Sequence, residues 1–283
     1  MVMGFTTFIQ VEELKEALRK NASNIRIVDC RFDLDRPDAG EALYLDGHIP
    51  GAVYAHLDRD LAAPPGEKTG RHPLPSEEDL AATFSRLGID ASKQVIAYDL
   101  PFAARLWWLL RYLGHEHVAV LDGGITAWIK AGNPVQRGRK LIPPTAFQPH
   151  VQPNRVISAD EIQHSYQPGK DLLLIDSRSP ERYRGEMEPR DPVAARIPGA
   201  VNRFWQDNLT AEGFMLPSAD ICQAFDALGD PSSYSQTAAY CGSGVTAAVN
   251  VLAMEYAGIP QVRLYPGSWS HWCSDPSRPI ARG

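Results

Sequence analysis

Cysteine is scarce in this chain, with four thiols (Cys30, Cys222, Cys241 and Cys273) among 283 residues. That number makes neither the disulfide framework of a small secreted module nor a paired Cys-x-x-Cys zinc site, so no metal is expected and a reducing cytoplasm is the expected setting. Long hydrophobic runs are missing too. The most apolar stretch, Leu106 to Leu113, follows Arg105, is broken by Arg111, and falls well short of the ~20 residues that span a bilayer. The amino terminus, Met-Val-Met-Gly-Phe-Thr-Thr, offers no basic stretch leading into an apolar core before Glu12, Glu13 and Lys15, so no secretory signal is expected. Positive charge is in deficit: 28 lysines and arginines face 34 aspartates and glutamates, a net charge of −6. Neither nucleic acid nor an anionic membrane surface is an expected partner, and any anionic ligand has to be held by local groups.

With 44% hydrophobic and 22% charged residues, the composition is that of an ordinary globular protein, and the length suits two domains. The chain repeats itself. Ile27-Val28-Asp29-Cys30-Arg31 returns as Leu174-Ile175-Asp176-Ser177-Arg178, 147 residues later. Ile49-Pro50-Gly51-Ala52-Val53 returns as Ile197-Pro198-Gly199-Ala200-Val201. Leu121-Asp122-Gly123-Gly124 with Trp128 returns as Tyr265-Pro266-Gly267-Ser268 with Trp272. Order and spacing are kept. Between the halves lies a proline-punctuated segment containing Pro143, Pro144, Pro149 and Pro153, which reads as a linker over 138–153 between domains at 1–137 and 154–283. Short strands at Val95–Tyr98 and Thr237–Tyr240 lead into helical patterns ending at Gly114 and Gly258, the usual place for glycine. Such βα units predict an α/β fold, twice over: a mostly parallel sheet in each half, covered by helices on both faces, with functional groups at the carboxyl ends of the strands.

One strand end stands out. Tyr240 is followed by Cys241-Gly242-Ser243-Gly244-Val245-Thr246 and then a helix. Glycines in such a turn let successive backbone N–H groups converge on one point, and the helix amino terminus adds to the field there. A thiol in that place should ionise more easily than an ordinary cysteine and act as a nucleophile. Attack on phosphorus and attack on sulfur both use such a loop. Cysteine-dependent phosphatases carry an arginine six residues after the cysteine as a bidentate phosphate clamp; position 247 is alanine, so sulfur chemistry leads.

The duplicated module with its Cys-Gly-Ser-Gly-Val-Thr loop resembles the rhodanese-type sulfurtransferases over nearly the whole chain. The loop is similar to that of the 3-mercaptopyruvate sulfurtransferases, whereas thiosulfate sulfurtransferases place basic residues directly after the cysteine. The resemblance implies a catalytic carboxyl-terminal module and an inactive amino-terminal one. Asp99 stands where the first copy's nucleophile would be, in a loop shortened by about two residues that cannot build the same cradle. It further implies that two arginines bind the substrate carboxylate, falling on Arg182 and Arg190, with Gly242, Gly244, Val245 and Thr246 completing the binding surface. His72 and Asp58, with Ser243, would form a Ser-His-Asp proton relay beside Cys241; Asp60 competes with Asp58 for the acidic place.

The reaction implied is transfer of sulfur from 3-mercaptopyruvate to Cys241, giving a persulfide and pyruvate, and then to cyanide, a small thiol or a thioredoxin-like protein, with no cofactor. Thiosulfate as donor is the alternative, and a non-catalytic persulfide carrier or sensor the more distant one. Other suggestive residues have simpler readings. Trp107 and Trp108 lie on an apolar helix and read as core. His115-Glu116-His117 reads as a solvated loop rather than a metal site, Arg184 as a surface charge or a partner for Glu186 or Glu188, and Cys30, Cys222 and Cys273 as structural thiols.

Overall fold

The computed structural model describes residues 4–165 and 172–283, which divide into two compact units. In the first, the strands are β1 (Phe8–Ile9), β2 (Ile25–Asp29), β3 (Val53–Tyr54), β4 (Gln94–Tyr98) and β5 (Val118–Leu121). They alternate with helices α1 (Val11–Asn21), α2 (Ala39–Asp46), α3 (Leu57–Asp60), α4 (Glu77–Arg86), α5 (Phe102–Tyr112) and α6 (Gly124–Lys130). The sheet runs β1-β5-β4-β2-β3 with every pairing parallel. The central strands are apolar at nearly every position, as expected of a sheet buried on both faces; in β4, Val95 to Tyr98 are all buried.

The second unit repeats the plan. Its elements are α7 (Ala159–Ser165), β6 (Leu172–Asp176), α8 (Pro180–Arg184), β7 (Val201–Asn202), α9 (Ser218–Asp226), β8 (Gln236–Tyr240), α10 (Ala247–Tyr256), β9 (Val262–Leu264) and α11 (Ser268–Trp272). The parallel sheet is ordered β7-β6-β8-β9. Its chain is not contiguous: Pro64–Leu74 is part of this unit, together with 153–211 and 215–283. The segment 138–152 has neither helix nor strand and is tied to the first unit through Thr145 N–H to Ser85 O and Gln152 N–H to Tyr112 O, with Phe147 buried. No helix among the described residues is long and apolar enough to cross a membrane.

The sequence repeats are repeats of interaction. Asp29 closes β2 and binds Arg31 through both carboxylate oxygens, while Tyr98 at the end of β4 donates to Asp29 at 2.6 Å and accepts from the Ile49 N–H. Asp176, Arg178, Tyr240 and Ile197 make the same arrangement in the second unit. Gly51 and Gly199 both take the left-handed conformation in their Ile-Pro-Gly-Ala turns, which glycine enters without Cβ strain. The indoles of Trp128 and Trp272 each donate to a carbonyl a few residues on, at Pro134 and Pro279. Helices α5 and α10 end before the left-handed Gly114 and Gly258, where the chain pattern predicts them to stop. Trp107 and Trp108 are wholly buried. His115 departs from its sequence reading: it is buried rather than solvated, and burial lowers its pKa, because the ring turns back towards the His117 carbonyl.

Candidate active site

The two units differ most at the ends of β4 and β8. Three residues, 99–101, separate β4 from α5, whereas six, 241–246, separate β8 from α10. The longer loop has room to curl around its first side chain. Cys241 is 2% exposed, and burial alone would push its thiol up. The hydroxyl of Thr246 and the N–H groups of Ser243, Ala247 and Gly244 point at Sγ and reverse that effect, so the thiol sits below its ordinary pKa. The Gly244 N–H is 3.2 Å from Sγ. Gly244 is left-handed, and a Cβ there would run into the carbonyl of Pro266.

The turn between β9 and α11 braces this loop. Ser268 Oγ accepts from the Cys241 N–H at 3.0 Å and donates to the Tyr265 carbonyl. The Cys241 and Gly242 carbonyls accept from Trp269 and Ser270 N–H. Ser268 holds φ +52, a conformation unfavourable for a residue with a Cβ. The corresponding residue in the first unit is Gly124, also left-handed.

His72 lies in the Pro64–Leu74 segment of this unit. Its Nδ1 is 2.7 Å from Ser243 Oγ, and both side chains are buried, so a proton can pass between them whichever carries it at rest. The segment is seated on the same brace: the Arg71 N–H donates to Ser270 Oγ at 3.1 Å, and left-handed Gly70 packs so closely that a Cβ would lie 2.8 Å from that oxygen.

Behind Gly242 stands a ladder of alternating charges. Arg178 is fully buried, bidentate on Asp176, 3.2 Å from Glu188, and stacked over the Trp269 ring at 5.0 Å. Arg182, on α8, binds Glu188 through Nε and Nη2 at 3.0 and 2.7 Å. Asp191 comes 3.6 Å from Arg182 and forms an ion pair with Arg71. Burial pushes the Asp191 carboxyl up despite Arg71 beside it. The guanidinium groups of Arg71 and Arg182 converge on Gly242: a Cβ built there would be 2.7 Å from Arg71 Nη2 and 3.1 Å from Arg182 Nη2. With no side chain at Gly242, both guanidinium groups have room to close on the loop.

Other sequence candidates are placed as follows. Arg190 is exposed, and its N–H donates to Glu188. Arg184 pairs with Glu186 at the surface. Val245 is buried in the loop, and Thr246 stands at the position just before α10, its side chain making no capping hydrogen bond to the helix. Asp58, on α3 of the first unit, has its N–H on His56 Nδ1. Asp60 accepts from the His56 N–H and pairs with Arg86. Cys30 and Cys273 have thiols pushed up mainly by burial, to about 11 in Cys273, and Cys222 is likewise raised.

The model of the rhodanese-like domain matches this chain twice, over residues 10–131 and 158–275. The chain belongs to the rhodanese family. A Pseudomonas aeruginosa protein named as a probable 3-mercaptopyruvate sulfurtransferase is 44% identical, across 94% of this chain and 95% of its own length. A Mycobacterium tuberculosis protein provisionally named thiosulfate sulfurtransferase SseB is 39% identical, across 92% and 91%. The crystal structure of the 3-mercaptopyruvate sulfotransferase SseA from Escherichia coli superimposes with a TM-score of 0.81 at 32% identity, covering 94% of this chain and all of that one.

Within this rhodanese site, Arg71, Arg178, Glu188, Asp191 and Ser268 were missed by sequence reasoning. Two signals were available. Arg71 adjoins His72, and Ser268 occupies a repeat position held by glycine in the first copy.

Proposed function

We propose that this rhodanese-family chain is a 3-mercaptopyruvate sulfurtransferase that stores sulfur on Cys241. The observation that carries the reading is a buried thiol drawn below its ordinary pKa by Thr246 and three N–H groups, with two guanidinium groups beside the next residue. The names and identities of the Pseudomonas and Escherichia relatives support it. The Cys241 thiolate attacks the sulfur of 3-mercaptopyruvate and forms an S–S bond. The C–S bond breaks, its electron pair passing to C3 to give the enolate of pyruvate, which takes up a proton as pyruvate leaves. In this reading Arg182, with Arg190 as a second candidate, binds the substrate carboxylate, and Ser243 with His72 delivers the proton, with Asp58 the proposed third member. An acceptor thiolate or cyanide then attacks the outer sulfur and restores the Cys241 thiolate. The acceptors proposed are small thiols or a thioredoxin-like protein in the cytoplasm.

Thiosulfate is the second reading, favoured by the name of the Mycobacterium relative and by the guanidinium charge at Gly242. A non-catalytic carrier would have little use for those arginines. Intact-mass measurement after exposure to each donor tests the proposal: a gain of one sulfur atom, about 32 Da, is expected with 3-mercaptopyruvate and none in Cys241→Ser. Loading only by thiosulfate would establish the second reading, and loading that survives Cys241→Ser would remove Cys241 from the mechanism.

A further inference from the structure

We infer that Ser270 is a positioning residue for the proton transfer: it binds the two loops that carry Ser243 and His72 at once, and so sets the distance between them. Its backbone N–H donates to the Gly242 carbonyl at 2.9 Å, and Gly242 is joined to Ser243. Its Oγ accepts from the Arg71 N–H at 3.1 Å, and Arg71 is joined to His72. Because His72 Nδ1 is 2.7 Å from Ser243 Oγ, these contacts close into a ring that runs from Ser270 through Gly242-Ser243 to His72-Arg71 and back.

The hydroxyl is aimed for this purpose. Ser270 is 8% exposed, and its Oγ donates to the Gly267 carbonyl at 3.3 Å, which leaves its lone pairs for the Arg71 N–H. The segment is shaped to reach it. Gly70 is left-handed, and a Cβ there would lie 2.8 Å from Ser270 Oγ and 2.9 Å from the Gly267 carbonyl oxygen, so a side chain at this position would push the segment off the hydroxyl. At the matching place in the first unit, two residues before Trp128, stands Thr126, which is exposed. The hydroxyl recurs there uncovered, so the burial of Ser270 goes with the segment that lies on it. Proton transfer needs its partners within hydrogen-bond reach, and a misplacement of about 1 Å can slow a positioned step by about 100-fold. Without the Ser270 hydroxyl the Arg71 N–H loses its acceptor, and the segment has to shift to find another.

The inference rests on the reading in which Ser243 and His72 deliver the proton to the enolate of pyruvate. Single-turnover release of pyruvate is followed at rising 3-mercaptopyruvate in wild type, Ser270→Ala, Gly70→Ala, His72→Gln and the Ser270→Ala/His72→Gln double variant. Ser274→Ala is the control, since its hydroxyl donates to the His271 carbonyl just past α11. Ser270→Ala and Gly70→Ala are each expected to lower the saturating rate about tenfold. The half-saturating concentration should change little, because Arg182 is held by Glu188. Alkylation of Cys241 by iodoacetamide should keep its wild-type pH profile in both, because the donors around Sγ lie within 241–247. Ser274→Ala should stay within about twofold throughout. The deciding comparison is the double variant: a residue that acts through His72 makes it no slower than His72→Gln alone, whereas one that merely supports the fold adds a loss of its own. Should Ser270→Ala not fold, Gly70→Ala and its double variant with His72→Gln decide by the same criterion. A wild-type rate in Ser270→Ala, an additive loss in the double variant, or an equal fall in alkylation overturns the inference and leaves the relay standing. A full rate in His72→Gln, or a protein that 3-mercaptopyruvate does not load, overturns the relay and the inference with it.

Discussion

A buried thiol surrounded by donors ionises because the thiolate, not the thiol, satisfies those donors. At Cys241 the largest influence is burial, which opposes ionisation, and the largest opposing influence is the Thr246 hydroxyl, ahead of the N–H groups of Ser243, Ala247 and Gly244. Thr246→Val keeps the shape and removes that hydroxyl. Its thiol pKa should rise, so alkylation by iodoacetamide should slow on the acid side of the pH profile and converge with wild type at high pH, where both are ionised. An unshifted profile would leave the N–H groups as the whole cause. Sequence made this residue legible because the nest is local: all its members lie between 241 and 247. The approach of Arg71 to Gly242 was not legible. Arg71 is paired with Asp191, 120 residues away in the chain, and no local pattern reports such a pair. The same limit separates Arg182 from Arg190: both lie in one charged stretch, and only the fold brings Arg182 up to Gly242.

Among the elements, the turn from β9 into α11 shows a backbone held in a costly shape for a purpose. Ser268 has a Cβ at φ +52, where its first-unit counterpart is the glycine Gly124, and its hydroxyl serves the Cys241 N–H and the Tyr265 carbonyl. The strain is the cost of placing an acceptor under the nucleophile. Ser268→Ala and Ser268→Gly both remove the acceptor and leave a buried N–H unsatisfied, at about 1 to 3 kcal/mol. Only glycine also relieves the left-handed strain, worth about 1 to 2 kcal/mol. Urea unfolding should therefore find Ser268→Gly the more stable of the two, while both load sulfur more slowly than wild type. Equal stability would mean the turn is relaxed as it stands. The strands and helices were readable from apolar runs and terminal glycines. The assignment of 64–74 to the second unit was not, since nothing in a proline-rich loop says which core it joins.

For the molecule as a whole, duplication has given two sheets with one plan and opposite strand-end chemistry. Where β8 delivers a thiol that is eased into ionisation, β4 delivers Asp99, left-handed and with one carboxylate oxygen buried and unpartnered. Burial, and then Asp29 nearby, push its pKa up to about 7 from an ordinary 3.8, against a smaller opposing pull from Arg31 and the Ile125 N–H. Between these two values the folded first unit keeps a proton that the unfolded chain gives up. Stability contributed there is present at low pH and falls as pH rises from about 4 to about 7, then stays level, for a loss on the order of 2 to 4 kcal/mol. Asp99→Asn removes the titration and suits the same backbone, since asparagine tolerates the left-handed region. Amide hydrogen exchange in β4 and α5 should show the variant more protected than wild type at pH 8 and equal to it near pH 4. Equal protection at both would mean that water reaches the carboxylate and that Asp99 ionises as an ordinary acid. A first unit that is strongest with its strand-end acid protonated is organised around a neutral group, in a sheet whose sister is organised around an anion.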